Sequence, residues 1–232
     1  MKRRFLRYFP TFFLIFAICS DLAYHAAIPI QASGYRSVPT ETSRIALTFD
    51  DGPHPRLTPR ILDILDRYGV HATFFMIGVN AENYPQAARA VVERGHEIGN
   101  HTFSHCRLYG GGTARAEKEL TDCSDAIERV CGCRPNLFRP PEGAVDRAVV
   151  EVSDRGGYEI ILWSVDTRDW EIKDVRAIVN RVLSAVKPGD IILMHDFIGH
   201  NSKTPEALEI LLPKLLALGY EPVTVSELLG IG

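Results

Sequence analysis

Short apolar segments that suit β-strands alternate with longer amphipathic segments that suit α-helices along most of this chain. Such alternation is typical of a parallel sheet covered by helices. About seven β–α units in a single domain favour a closed or partly closed barrel over a flat sheet. The predicted strands are residues 44–49, 72–77, 96–100, 137–139, 158–165, 191–194 and 221–225. The predicted helices are residues 58–68, 85–94, 113–130, 144–155, 175–186 and 205–218.

The first 33 residues have a different composition from the rest. Basic residues at Lys2, Arg3 and Arg4 precede an apolar run over residues 9–19, which Asp21 ends. This order is typical of an export signal, and the run is shorter than the ~20 apolar residues of a full membrane span. We therefore predict that residues 1–33 are a signal peptide or a signal anchor that tethers the protein to the membrane. Residues 34–43 are predicted to be a polar linker, and residues 44–232 the functional domain.

Charge and cysteine content limit the classes of partner and the compartment. The formal net charge is −3 over 232 residues, and no basic stripe is present. Because nucleic-acid binding requires clustered Lys and Arg, we predict no nucleic-acid partner. The domain cysteines are compatible with export, but the sequence leaves open disulfide pairing, a metal site or simple buried thiols. These cysteines are Cys106, Cys123, Cys131 and Cys133.

Five polar clusters each follow a predicted strand. In parallel β/α folds the carboxyl ends of the strands share one edge, where the chemistry gathers. Isolated surface charges would not follow strand ends in this way, so we predict a single active site at this edge. The clusters are residues 50–52, 101–105, 139–143, 166–170 and 195–196.

A metal site is predicted within the first two clusters. His101 and His105 have i, i+4 spacing, and on a helical turn both rings would face one ion. Two histidines and a carboxylate such as Asp51 leave open positions for water, as a catalytic zinc site requires. The adjacent carboxylates of Asp50 and Asp51 repel each other unless a cation or an arginine offsets them. The alternatives are two unrelated surface histidines and a polar turn ahead of Gly52.

The five clusters together resemble the ordered motifs of the polysaccharide deacetylase family (the NodB-homology domain, carbohydrate esterase family 4). The resemblance covers roughly residues 42–230 and implies a distorted (β/α) barrel. The motifs read TFDDG at residues 48–52, HTFSH at 101–105, RPPEG at 139–143, DTRDW at 166–170 and LMH at 193–195.

The resemblance also implies a mechanism. One divalent ion, most often Zn²⁺ although Co²⁺, Mn²⁺ and Ni²⁺ also serve, would activate a water and polarise the acetyl carbonyl. The implied metal ligands are Asp51, His101 and His105. The implied catalytic residues are the general base Asp50, its partner Arg139, the general acid His195 and the carboxylate Asp169 that orients His195.

Three further positions are implied to bind substrate. Trp170 would form an apolar wall beside the sugar, and Leu193 would line the acetyl pocket. Glu142 stands where the family commonly has Tyr. The implied role of that position is its backbone N–H, which Glu supplies equally well, but the carboxylate could change the substrate preference or favour a cationic substrate.

These observations predict a metal-dependent hydrolase that removes N-acetyl groups from the amino sugars of a polysaccharide. Export favours peptidoglycan in the cell envelope as the substrate. The alternatives are a deacetylase of chitin-type oligosaccharides, a hydrolase of an O-acetyl ester or non-sugar amide, and a non-catalytic envelope protein that binds glycan. The sequence does not predict the oligomeric state.

Overall fold

The computed structural model describes residues 34–197 and 202–231. The predicted export signal, residues 1–33, lies outside the described residues. The strands are β1 (Arg44–Asp50), β2 (Thr73–Met76), β3 (Glu97–Asn100), β4 (Leu137–Phe138), β5 (Glu159–Ile160), β6 (Val165–Asp166), β7 (Ile191–His195) and β8 (Glu221–Val223). The helices are α1 (Leu57–Tyr68), α2 (Gly78–Asn83), α3 (Pro85–Glu93), α4 (Gly112–Cys131), α5 (Arg147–Gly156), α6 (Val175–Leu183), α7 (Thr204–Ala217) and α8 (Val225–Leu229). None of the helices in these ranges is long and apolar enough to cross a bilayer.

All eight strands belong to one parallel sheet in the order β5-β4-β3-β2-β1-β7-β6. The eighth strand, β8, pairs with the first half of β1, while β2 pairs with its second half. Helices cover the sheet, which forms a single-domain, distorted (β/α) barrel, so the predicted fold class is confirmed. The central position of β1 places the residues that follow it in the middle of the carboxyl edge.

The two faces of β1 bury different kinds of side chain. Ile45, Leu47 and Phe49 belong to the large apolar cluster beneath the helices, to which α7 contributes four buried leucines. Since side chains alternate along a strand, Thr48 and Asp50 face the barrel interior. The interior face therefore becomes more polar toward the carboxyl end of β1, where the predicted active site lies.

Residues 34–38 connect the end of β5 to the segment just before β7, two parts of the barrel that do not pair with each other. The N–H of Tyr35 donates to the carbonyl oxygen of Ile160 (2.8 Å), and the Tyr35 carbonyl accepts the N–H of Leu162 (2.7 Å). The N–H of Val38 donates to the Gly189 carbonyl (2.8 Å), just before β7. The start of the segment predicted as a linker thus lies within the sheet architecture. These contacts are between backbone groups, which leave no hydrophobic pattern in the sequence.

The single strand predicted over residues 158–165 is wrong. The structure has β5 and β6 separated by residues 161–164, where the Ile161 and Leu162 carbonyls accept hydrogen bonds from the Arg139 side chain. A buried arginine here competes with sheet pairing for the backbone oxygens. The apolar composition of the segment, which suggested a continuous strand, reflects burial on both sides of this break.

Other local predictions also need correction. Helix α1 begins at Leu57, one residue before the predicted start at Thr58, and the Thr58 hydroxyl donates to the carboxylate of Asp196. His96, predicted to begin a strand, precedes β3; it is 5% exposed and accepts the Ala72 N–H through Nδ1. The short helices α2 and α8 were not predicted. The four domain cysteines are free thiols, but only Cys123 is buried and Cys133 is exposed, so the buried-thiol alternative holds for Cys123 alone.

Candidate active site

The three predicted metal ligands converge at the carboxyl edge of the sheet. Asp51 follows β1, and His101 and His105 follow β3. The distance from Asp51 Oδ1 is 3.1 Å to His105 Nε2 and 3.4 Å to His101 Nε2. One ligand atom from each of the three residues lies within 4.8 Å of the other two. Two imidazole nitrogens and a carboxylate oxygen therefore surround a space that suits one ion.

The histidine pair does not lie on a helical turn, so that expectation is wrong. Thr102 and His105 have left-handed backbones, with φ of 66° and 58°. The turn is held by the Asn100 side chain, whose oxygen accepts the Thr102 N–H (2.8 Å). The i, i+4 spacing indicated proximity correctly, but an irregular loop brings the two rings together, with centroids 5.1 Å apart.

The chemistry of this donor set fits a divalent metal ion. His101 Nδ1 lies 2.6 Å from the Arg139 carbonyl oxygen, which can only accept, so Nδ1 carries the proton. Nε2 then presents its lone pair toward Asp51, as in metal sites where a second hydrogen bond orients the ligand. Burial raises the pKa of Asp51, but its close contacts with His101 and His105 outweigh burial and hold this pKa well below its usual range. All three donors are thus suited to a cation.

The carboxylate of Asp50 is paired with a fully buried arginine. Arg139 Nη1 donates to Asp50 Oδ1 (2.7 Å) and to the Thr48 hydroxyl (2.8 Å). The rest of the guanidinium donates to the Ile161 and Leu162 carbonyls (3.2 and 2.9 Å). Every nitrogen of the guanidinium has an acceptor, which fixes its position. Asp50 Oδ2 is left to face the metal donors, 3.8 Å from His101 Nε2.

Strands β1 and β7 are neighbours, and Asp50 at the end of β1 is paired with His195 at the end of β7. His195 therefore lies on the opposite side of Asp50 from His101 and His105, which follow β3. Its Nδ1 lies 2.7 Å from Asp169 Oδ1, and its backbone N–H donates to Asp169 Oδ2 (2.8 Å). Burial lowers the pKa of His195, but the hydrogen bond and charge of Asp169 outweigh it and raise this pKa to about 9. The side chain is therefore protonated at neutral pH and can donate a proton from Nε2.

Thr204 is a site residue that sequence reasoning missed. Its hydroxyl donates to Asp169 Oδ2 (2.6 Å), so it helps to hold the carboxylate that orients His195. Thr204 begins α7, far along the chain from Asp169, and belongs to none of the five clusters. No signal in a single sequence distinguishes it from an ordinary helix start.

Asp196, which belongs to the fifth polar cluster but has no role implied by the resemblance, is buried beside the loop that follows β1. A Cβ atom at Gly52 would lie 2.1 Å from Asp196 Oδ2, so only glycine fits at position 52. The N–H of Asp196 donates to the Asp50 carbonyl (3.1 Å). Burial raises the pKa of Asp196 to about 7. This packing fixes the direction in which the chain leaves Asp50 and Asp51.

The three residues predicted to bind substrate occupy different environments. Leu193 is buried in β7 on the same face as His195, two residues earlier. Trp170 is half exposed, with the Arg168 guanidinium 6.0 Å from its ring centre. Glu142 is exposed in a short 3-10 turn with φ of 60°, and its carboxylate lies 3.4 Å from Arg107. Leu193 thus lies deep in the site, and the other two lie at its surface.

Left-handed backbone conformations of residues other than glycine are concentrated at this edge in the described ranges. All five non-glycine residues with positive φ in the described ranges belong to the predicted polar clusters. Such conformations cost on the order of 1 kcal/mol or more each and persist where the surrounding structure enforces them. The loops are therefore held in specific shapes. These residues are Asp51, Thr102, His105, Glu142 and Arg168.

Comparison with known proteins places the chain in a family. A sequence model described as polysaccharide deacetylase matches residues 37–161. A peptidoglycan-N-acetylglucosamine deacetylase of Bacillus cereus is 42% identical over 204 residues, covering 86% of this chain and 95% of the relative. The chain belongs to the polysaccharide deacetylase family, and the resemblance read from the five motifs is confirmed.

Two further similarities extend this result. The peptidoglycan-N-acetylmuramic acid deacetylase PdaC of Bacillus subtilis is 39% identical over 79% of this chain, which corresponds to 38% of that longer protein. A crystal structure of the Bc1960 peptidoglycan N-acetylglucosamine deacetylase, in complex with 4-naphthalen-1-yl-N-oxidanyl-benzamide, superposes with a TM-score of 0.80 at 35% identity. It covers 83% of this chain and 91% of the other. The likeness therefore includes both the sequence and most of the fold.

Proposed function

We propose that this protein is a metal-dependent N-deacetylase that acts on the amino sugars of peptidoglycan. The observation that carries the proposal is the placement of Asp50 between the three metal donors and His195. A carboxylate and a protonated imidazole on neighbouring strand ends form a base and an acid at one site. The Bacillus relatives described above are deacetylases of peptidoglycan sugars, which supports the same reaction.

Hydrolysis of the acetamide requires one proton to be removed from the attacking water and one to be donated to the leaving nitrogen. A divalent ion bound by Asp51, His101 and His105 would supply Lewis-acid polarisation and acidify a water. Asp50 accepts the proton of the attacking water, and Arg139 holds Asp50 in position. His195 donates its Nε2 proton to the sugar nitrogen as the C–N bond breaks. The products are acetate and the free amine.

The remaining assignments concern the ion and the acetyl group. We assign Zn²⁺ to the site because two imidazoles and one carboxylate are the ligands that catalytic zinc uses. Leu193 forms the apolar floor against the acetyl methyl group, and Trp170 contacts the sugar. The backbone N–H of Glu142 stabilises the oxyanion that forms at the acetyl carbonyl.

The proposed substrate places the protein outside the cytoplasm. Peptidoglycan lies in the cell envelope, and residues 1–33 have the composition of an export signal, cleaved or kept as a tether. Residues 44–232 would form the catalytic domain.

Acetate release tests the proposal directly. Purified protein loaded with Zn²⁺ is incubated in three separate reactions, with peptidoglycan fragments, with chitin oligosaccharides and with an O-acetyl ester. We expect acetate from peptidoglycan, together with about one divalent ion per chain by metal analysis. If acetate were released only from chitin or only from the ester, that compound would be assigned as the substrate in place of peptidoglycan. Glycan binding without acetate from any of them, in a metal-loaded protein, would favour the non-catalytic alternative.

The pH dependence of the reaction depends on Asp169. Because His195 must be protonated to act as the acid, activity falls as the pH rises through the His195 pKa of about 9. Asp169→Asn removes the charge that raises this pKa. The alkaline limit of kcat should then move toward the ordinary histidine pKa of ~6.5 or below.

The matched control is Asp174→Asn, since Asp174 accepts the Arg176 N–H (2.8 Å) at the start of α6, in the same stretch of chain. Its pH profile should match that of the wild type. An unchanged alkaline limit in Asp169→Asn would show that Asp169 does not set the protonation of His195.

A further inference from the structure

Arg107 and Glu142 form a charged pair at the entrance to the candidate active site. Arg107 comes two residues after His105, and Glu142 comes three residues after Arg139. The distance from Arg107 Nε to Glu142 Oε2 is 3.4 Å, and both side chains are about 60% exposed (61% and 62%). The two residues belong to different strand-end loops, so the pair spans the edge of the site.

The two loops are fixed relative to each other by groups other than this pair. The Gly110 N–H donates to Asp146 Oδ2 (2.7 Å), and Asp146 Oδ1 accepts the Val149 N–H (2.9 Å) at the start of α5. Leu108 is buried at 1% exposure in the cluster beneath α4 and α5. With Leu108 directed inward, its neighbours Arg107 and Tyr109 are exposed. Arg107 is thus held outward by buried neighbours.

The guanidinium of Arg107 is only weakly engaged. It donates no hydrogen bond to any group in the described residues, and its closest approach to Glu142 is from Nε at 3.4 Å. Arg134, by contrast, donates to Asp125 (2.6 Å) and Glu128 (2.8 Å). The ring of Tyr109 lies 5.8 Å from the Arg107 guanidinium carbon. The side chain is 61% exposed, so the fork of guanidinium nitrogens is accessible to a carboxylate of a ligand.

We propose that Arg107 is a specificity-determining residue that binds a carboxylate carried by the glycan. The preferred substrates are then N-acetylated glycans with an anionic substituent, rather than uncharged chitin-type chains. Two sources have this chemistry in peptidoglycan: the lactyl carboxylate of a muramic acid residue without its peptide, and the carboxylates of an attached peptide. The inference rests on the proposed function.

Glu142 opposes this binding while it positions the arginine. Its carboxylate occupies the Nε side of the guanidinium, and a second carboxylate on the terminal nitrogens would be repelled by it. The structure therefore assigns opposite effects to the two residues. Removing the positive charge at position 107 weakens binding of the anionic substrate, and removing the negative charge at position 142 strengthens it.

The experiment compares three glycan fragments of equal length: one with free lactyl carboxylates, one with peptide attached, and an uncharged chitin oligosaccharide. For Arg107→Gln we expect about a tenfold lower kcat/KM on one or both anionic fragments, through KM, because a charge-assisted hydrogen bond is lost. Activity on chitin should be unchanged. Glu142→Gln should lower KM for the same anionic fragment a few-fold, about what an exposed charge contributes. Arg115→Gln, a nearby exposed arginine, is the control and should match the wild type.

The anionic fragment that loses affinity identifies the source of the carboxylate. An equal loss on all three substrates, or no loss on either anionic fragment, overturns the inference. Calorimetry measures the affinity of each variant for the same three fragments and so makes the comparison without turnover. An absence of acetate in the wild type would refute the proposed function, whereas the affinity difference between the wild type and Arg107→Gln would still decide the role of Arg107.

Discussion

Replacing Asp50 with Asn is expected to reduce kcat by about 10²- to 10⁴-fold, the range typical of a lost general base. The substitution keeps the shape of the side chain and its hydrogen bond from Arg139, but an amide cannot take a proton from water. Asp51, His101 and His105 are unchanged, so the variant should bind as much metal as the wild type. Acetate release and metal content, measured on the same preparation, separate these two effects.

The same substitution at another strand end provides the control. Asp166 ends β6, and its Oδ1 accepts the Arg168 N–H (2.8 Å), a bond that Asn can also accept. Asp166→Asn should retain most of the activity. If Asp50→Asn released acetate as fast as Asp166→Asn, the assignment of the base would be wrong.

Replacing Arg139 with Met is expected to lower the free energy of unfolding by about 3–5 kcal/mol, as breaking a buried ion pair commonly does. The change leaves the Asp50 carboxylate, which is 3% exposed, without its cation. It also leaves the Ile161 and Leu162 carbonyls without their donor. Urea unfolding measures the loss as a lower midpoint at constant slope.

Two further variants decide whether the lost pairing is the cause. Asp50→Asn combined with Arg139→Met removes the unpaired charge, so the double variant should be more stable than the sum of the single changes predicts. Arg134→Met removes an arginine whose two carboxylate partners are exposed, and it should cost ~1 kcal/mol or less. If Arg134→Met and Arg139→Met lowered the free energy of unfolding by similar amounts, burial of the Arg139–Asp50 pair would not be the cause of the larger predicted loss.

The sequence predicted the placement of the site because it depends on properties that a single sequence carries. Apolar periodicity locates the strands, and parallel strands bring their carboxyl ends to one edge. Asp50, His101 and His195 follow three such strands and are found together in the structure. The ordered motifs added the family, which is confirmed, and the residue roles, which stay predictions. The core of the site was therefore predictable without coordinates.

What the sequence could not predict depends on backbone shape and on distant contacts. The loop that contains Thr102 and His105 is held by contacts such as the Asn100 side chain, which gives both residues left-handed backbones. The i, i+4 spacing carries no sign of these contacts and wrongly suggested a helical turn. Thr204 reaches Asp169 from another helix, and no local pattern marks it. Arg107 gains its significance only from its position opposite Glu142, which follows a different strand. Each of these depends on which loops the fold places side by side.

The hydrogen bonds of residues 34–38 have a consequence for the order of folding. Tyr35 and the Arg139 side chain both bind the chain at residues 160–162, one through its backbone and the other through its guanidinium. These partners are synthesised long after Tyr35, and contacts so distant in sequence form slowly because a large loop must close. The link from Tyr35 to the sheet and the support of Asp50 by Arg139 therefore both depend on residues 160–162, and a nascent chain completes neither until those residues have been synthesised.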